Sequence, residues 1–133
     1  MIGLDTNVLV RYLAQDDRTQ SPLATRFIEG SLSQDEPGFV PTIVLCELVW
    51  VLETSYEFDR ERITTVLDGL LRAQQLKFED PDAASQALRD FRTSKADYVD
   101  CLVQRIGSMA GCTHTVTFDR AASRIAGMRL LAG

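Results

Sequence analysis

The chain has 133 residues, the usual size of one domain, and with 45% hydrophobic and 25% charged residues it has a globular composition that excludes disordered, collagen-like and low-complexity classes. Nineteen acids against twelve Arg and two Lys give a formal charge of −5, which excludes a basic surface that grips nucleic acid unaided.

Met1 to Asp5 is short and apolar, and Thr6 and Asn7, both helix-capping types, precede Val8, Leu9, Tyr12 and Leu13 at helical spacing. This predicts a strand running into a helix. A polar break at Gln15 to Thr19 leads to Ser21 and Pro22, which read as an N-cap and first helical position, with Leu23, Phe27, Ile28 and Leu32 as the apolar stripe. Phe39 and Val40, bracketed by Gly38 and Pro41, predict a short strand, and TIVLCELVWVLETSY predicts a helix apolar almost all round and therefore buried. Asp59 caps a helix carrying Ile63, Val66, Leu67, Leu70 and Leu71. Leu76 to Phe78 is a weak strand, and Asp80 and Pro81 start a helix through Arg92. A further helix spans Ala96 to Ala110 and ends at Gly111. Thr113 to Phe118 is a strand that passes through Asp119 into a helix from Arg120 to Ala126, and Met128 to Leu131 forms a last edge strand. Strands alternating with helices predict a three-layer α/β/α fold with a central, mostly parallel sheet, in one domain spanning 1–133.

The longest apolar stretch, Ile43 to Leu52, is interrupted by Glu47 and is far shorter than the ~20 residues of a membrane span. The opening MIGLDTNVLV lacks the basic region of a signal peptide, so a cytoplasmic protein without a membrane partner is expected. Cys46, Cys101 and Cys112 have no paired spacing and read as small core residues. His114 is the only histidine, and with Cys112 it lacks the further ligands a zinc site needs. No glycine-rich phosphate loop is present. Arg11, Arg18 and Arg26 read as solvated surface, and Trp50, Tyr56 and Phe58 as core or partner-facing rather than nucleobase platforms. The helices around Leu13, Phe27, Trp50 and Tyr56 carry more apolar residues than a small core absorbs, which predicts an apolar groove covered by a partner.

In an open parallel sheet, ligands bind beyond the carboxyl ends of the strands. Asp5, in IGLDTN, and Asp119, in TVTFDR, fall at two such ends, where the alternative reading of each is an N-cap for the next helix. Glu47 has Ile43, Val44, Trp50 and Val51 as helical neighbours, so its carboxylate is exposed at a groove, paired with Arg, or bound to a metal. Asp97, Asp100 and Gln104 share one helix face, and the two acids are alternatively favourable first-turn charges. Two carboxylates ~6 Å apart repel by roughly 3 kcal/mol at an effective dielectric near 20, so a gathered cluster requires a neutralising cation. Oxygen-only ligands suit Mg²⁺ or Mn²⁺, which activate water and stabilise phosphoryl oxygens, and which let an acidic protein handle RNA.

At these residues the chain resembles the PIN-domain ribonucleases, and among them the VapC-type toxins of toxin–antitoxin pairs. LDTNVLVRYL at 4–13 is similar to the family's opening motif, CELVWVL at 46–52 to its central glutamate helix, and ADYVDCLV with TFDR to its two later acidic motifs. The resemblance implies an Mg²⁺- or Mn²⁺-dependent endoribonuclease, with Asp5 and Asp100 on the principal metal, Glu47 sharing it or orienting the attacking water, and Asp119 completing the site. Asp97 matches a supporting acid, and Asn7 and Thr117 match polar residues beside the site. Hydrolysis by water leaves a 5′-phosphate and a 3′-hydroxyl. The implied partners are an RNA substrate, a small antitoxin covering the acidic groove, and a second copy in a homodimer. Cys101 departs from the family's usual alanine, and Lys is nearly absent. A haloacid-dehalogenase-like phosphatase also opens with a strand-end aspartate, but needs a second Asp where Asn7 stands. A non-catalytic RNA- or protein-binding module is the remaining alternative.

Overall fold

The computed structural model describes residues 1–131, so the last two residues of the expected 1–133 domain lie outside the described residues. The chain folds as two compact units that meet in sequence between Pro81 and Asp82.

In the first unit, β1 (Ile2–Gly3), β2 (Gly38–Val40) and β3 (Leu76–Phe78) form a parallel sheet in the order β1-β2-β3, with Gly3 opposite Phe39 and Phe39 opposite Lys77. Parallel pairing is imposed by the helical connections, because a hairpin turn cannot return a chain in the same direction. The first connection contains α1 (Thr6–Ala14) and α2 (Gln20–Arg26), and the second α3 (Thr42–Thr54) and α4 (Arg60–Arg72). Leu9, Ile28, Val40, Leu45, Leu48, Leu52 and Ile63 make the core. Gly38 is needed for close packing: a Cβ there meets Leu32 Cδ1 at 2.7 Å and Leu4 Cδ1 at 2.8 Å.

The second helix departs from expectation at both ends. It starts at Gln20 rather than after Ser21, because Asp17 Oδ1 accepts the N–H groups of Thr19 (3.0 Å) and Gln20 (2.7 Å) while Ser21 Oγ accepts that of Asp17 (3.3 Å). Ser21 is thus buried inside the first turn, where Pro22 costs no hydrogen bond. The helix then widens into a π-turn over Phe27–Ser31, closed by Leu32 N–H on Phe27 O at 3.0 Å. α3 is not buried all round: Val44, Leu45, Leu48, Val49 and Leu52 face the core, but Ile43 is 77% and Trp50 62% exposed.

The second unit holds α5 (Pro81–Arg92) from its second residue, α6 (Tyr98–Met109), and the parallel pair β4 (Thr115–Thr117) and β5 (Met128–Leu130). Phe91 meets Tyr98 edge to face at 6.0 Å, and the Tyr98 hydroxyl donates to Ala84 O at 2.9 Å. Arg105 of α6 donates to both carboxylate oxygens of Asp90 on α5 (2.7 and 3.0 Å) and to Gln86 Oε1 (3.1 Å). The helix expected from Arg120 to Ala126 is only a 3₁₀ turn, Ala122–Arg124, since Gly127 at φ 90° already reverses the chain into β5. Gly127 leaves no room for a side chain, because a Cβ there runs into the Gln104 amide. Of the three cysteines only Cys101 is a core residue. Cys46 is half-buried and Cys112 exposed. No helix among the described residues is long and apolar enough to cross a membrane.

Candidate active site

In the first unit, the ladder bond from Leu4 N–H to Phe39 O (2.9 Å) carries β1 to the residue before Asp5. Asp5 stands at that carboxyl end and caps α1 with Oδ1, which accepts the Thr6 N–H at 2.8 Å. The capping and ligand readings coexist, because one carboxylate oxygen is left over. Asn7 is exposed one residue beyond Thr6. Thr6 between them is buried with its hydroxyl lacking any partner, an orphan that its sequence, a mere capping type, does not announce. Glu47 lies in the second turn of α3, exposed, and no ion pair reaches it among the described residues. The Arg-paired alternative is therefore not the one adopted.

Pro41 cannot cap α3 with a side chain, and that role falls to the end of β3. Glu79 Oε1 accepts the Thr42 N–H at 2.9 Å and Asp80 Oδ2 accepts the Thr42 hydroxyl at 3.1 Å. Sequence reasoning missed this use of Glu79, for which the only signal was an acid directly after a strand.

In the second unit, Asp97 is the N-cap residue of α6 but makes no capping hydrogen bond, and Asp100 sits part-buried in the first turn. Burial, then the charge of Asp97, then that of Asp119, raise the Asp100 carboxyl above its ordinary range. The charges of Asp97 and Asp119 thus both bear on Asp100. Asp119 Oδ1 accepts the Ala122 N–H (2.8 Å), and the Asp119 N–H is held by Thr117 Oγ1 (3.0 Å), so Thr117 shapes the turn that carries Asp119. Gln104, on the face shared with Asp97 and Asp100, is buried with Oε1 unpartnered. His114 lies at the far end of β4 from Asp119, with Thr113 as its hydrogen-bond partner (3.2 Å).

Asp97, Asp100 and Asp119 belong to one unit, and Asp5 and Glu47 to the other, on the packed helices α1 and α3 or their ends. No three His, Cys, Asp or Glu among the described residues form a ready-made metal cage. The donor chemistry nonetheless fits a hard divalent cation: the candidates are carboxylates, and burial together with the charges of Asp97 and Asp119 disfavours the ionised form of Asp100.

Beside Asn7, a groove of about 330 Å³ runs between α1 and α2, walled by Val8, Leu23, Ala24 and Phe27. Leu13 and Ile28 line a second, of about 310 Å³. Arg11 at the first groove is not idle surface: Nε donates to Gln20 Oε1 (2.8 Å) and Nη1 to Tyr56 OH (3.5 Å), while Tyr56 OH donates to Asp16 (2.8 Å).

A family model for the PIN domain matches residues 2–128, and the chain belongs to the PIN-domain family. A VapC ribonuclease from Aquifex aeolicus (strain VF5) is 28% identical over 117 residues, covering 88% of this chain and 86% of that protein.

Proposed function

We propose that this PIN nuclease is a metal-dependent endoribonuclease acting as the toxin of a toxin–antitoxin pair, with both units serving one nuclease domain. The observation that carries the reading is the convergence of the Asp97 and Asp119 charges on part-buried Asp100, in a chain that matches the PIN family along almost its whole length. The similarity to a VapC ribonuclease supports RNA as substrate and an antitoxin as partner.

In this reading Asp5 and Asp100 would hold Mg²⁺ or Mn²⁺, Glu47 and Asp119 would complete the set, and Asp97 would support it. Such an ion, when bound, would supply positive charge to the phosphate and lower the pKa of water. Glu47, exposed and unpaired, orients the attacking water and accepts its proton. Asp119, fixed by Thr117 Oγ1 and the Ala122 N–H, holds its outer oxygen in a constant direction. Asn7 offers amide groups to the sugar–phosphate backbone. Attack by water leaves a 5′-phosphate and a 3′-hydroxyl.

Mapping RNA ends after brief expression of wild type and Asp5→Asn in cells is the direct test. New 5′-phosphate ends in the wild type alone support the reading. Products ending in 2′,3′-cyclic phosphate, undiminished cutting in chelator, or identical RNA in both strains overturn it.

A further inference from the structure

We propose that the cavity between the loop before α6 and the turn after β4 binds a backbone phosphate of the RNA, flanking the phosphate that is cut. The inference rests on the ribonuclease reading and supplies what the composition left unexplained, namely where a chain of charge −5 meets a polyanion.

The cavity, about 410 Å³, is lined by Thr93, Ser94, Lys95, Arg120, Ala121 and Arg124, all in the second unit. Three of its six residues are cations in a chain with only fourteen, and Lys95 is one of two lysines. All three are accessible, and their side chains make no hydrogen bond or ion pair with another described residue. Elsewhere in this unit a cation of the same kind is consumed: Arg105 is spent on Asp90 and Gln86. Keeping three like charges together without counter-ions costs repulsion, which a bound anion relieves. Arginine forks and a lysine point charge are the donors a phosphodiester accepts from.

Position selects RNA as the source of that phosphate. Lys95 lies two residues before Asp97 and Arg120 directly follows Asp119, and those two acids both act electrostatically on Asp100. The cationic cavity is therefore contiguous in the chain with both ends of the acidic group. A strand whose scissile phosphate is held at the acids carries its next phosphates past these cations, and an isolated metabolite has no such second anchor.

The test compares wild type, the triple variant Lys95→Gln/Arg120→Gln/Arg124→Gln, and Arg129→Gln, an exposed cation of β5 outside the cavity, all checked for equal melting temperature. Binding of a labelled single-stranded RNA is measured at several salt concentrations, in chelator and in Ca²⁺, and cleavage in Mn²⁺. The triple variant should bind roughly ten- to a hundredfold more weakly, with a salt slope shallower by about 0.7 to 1 per lost phosphate contact. Its KM should rise while kcat stays within about threefold, and Arg129→Gln should match wild type. Loss of affinity and slope in the variant, in a wild type that binds RNA but never cleaves it, sinks the ribonuclease reading and leaves the phosphate site standing. Unchanged RNA affinity and slope overturn the site even if cleavage is robust. So does salt-independent or undetectable wild-type binding, or a variant that loses only an acidic protein partner.

Discussion

At the scale of single residues, Asp100 is where electrostatics and stability meet. Its folded-state pKa is raised, so the folded chain binds a proton more readily than the unfolded chain, and the charged side chain is a liability at neutral pH that fades as pH falls toward the ordinary carboxylate range. Asp100→Asn should therefore stabilise metal-free protein at pH 7, by at most about 1 kcal/mol because the group is part-exposed and screened, read as a higher melting temperature. The advantage over wild type should shrink between pH 7 and 4, and cleavage should fall by orders of magnitude. A metal-free variant less stable than wild type with intact cleavage makes Asp100 a structural first-turn acid. Tyr98→Phe belongs to the same scale: losing the buried bond to Ala84 O should cost about 1 kcal/mol in denaturant unfolding, with cleavage unaffected. The strand-end positions of Asp5 and Asp119 were legible in sequence because each follows a short apolar run that then changes period. Thr6 was not, because only burial turns a hydroxyl into an orphan, and Glu79 was not, because its acceptor role is fixed by the Thr42 N–H, 37 residues away.

Among elements, α2 is held at its start by Asp17, whose carboxyl lies below its usual range through the N–H groups of Gln20 and Thr19. A lowered pKa contributes stability above the unfolded value and loses it as pH falls through the folded one. Asp17→Asn should thus lower the melting temperature at pH 7, and the difference should close below about pH 4. β3 and α5 were readable to the residue, since Asp80 and Pro81 mark a junction that few conformations satisfy. The stretch after Asp119 was not: its alanines favour a helix, but the few residues between Asp119 and β5 must also turn the chain parallel to β4, and a 3₁₀ turn with Gly127 does so. On α3, Ile43, Glu47 and Trp50 form one outward stripe. We propose that a second copy covers its Trp50 end, short of Glu47. Trp50→Glu should then shift the chain to monomer in sedimentation, whereas an unchanged oligomeric state assigns the stripe elsewhere.

For the whole molecule, adding Mn²⁺ a hundredfold above its dissociation constant should stabilise wild type by about 2.7 kcal/mol and Asp100→Asn by much less, read as a melting shift. The helix–strand alternation that predicted a parallel α/β fold survives in both units. Their boundary did not announce itself, because Pro81 reads equally as an ordinary helix start. That boundary has a consequence for biosynthesis. Asp5 and Glu47 precede it, while Asp100 and Asp119 follow it, so a ribosome releases the first unit carrying half of the proposed acids. If the four acids serve one centre as proposed, a chain that stops at the boundary should leave RNA uncut, which incubating the fragment 1–81 with RNA in Mn²⁺ checks.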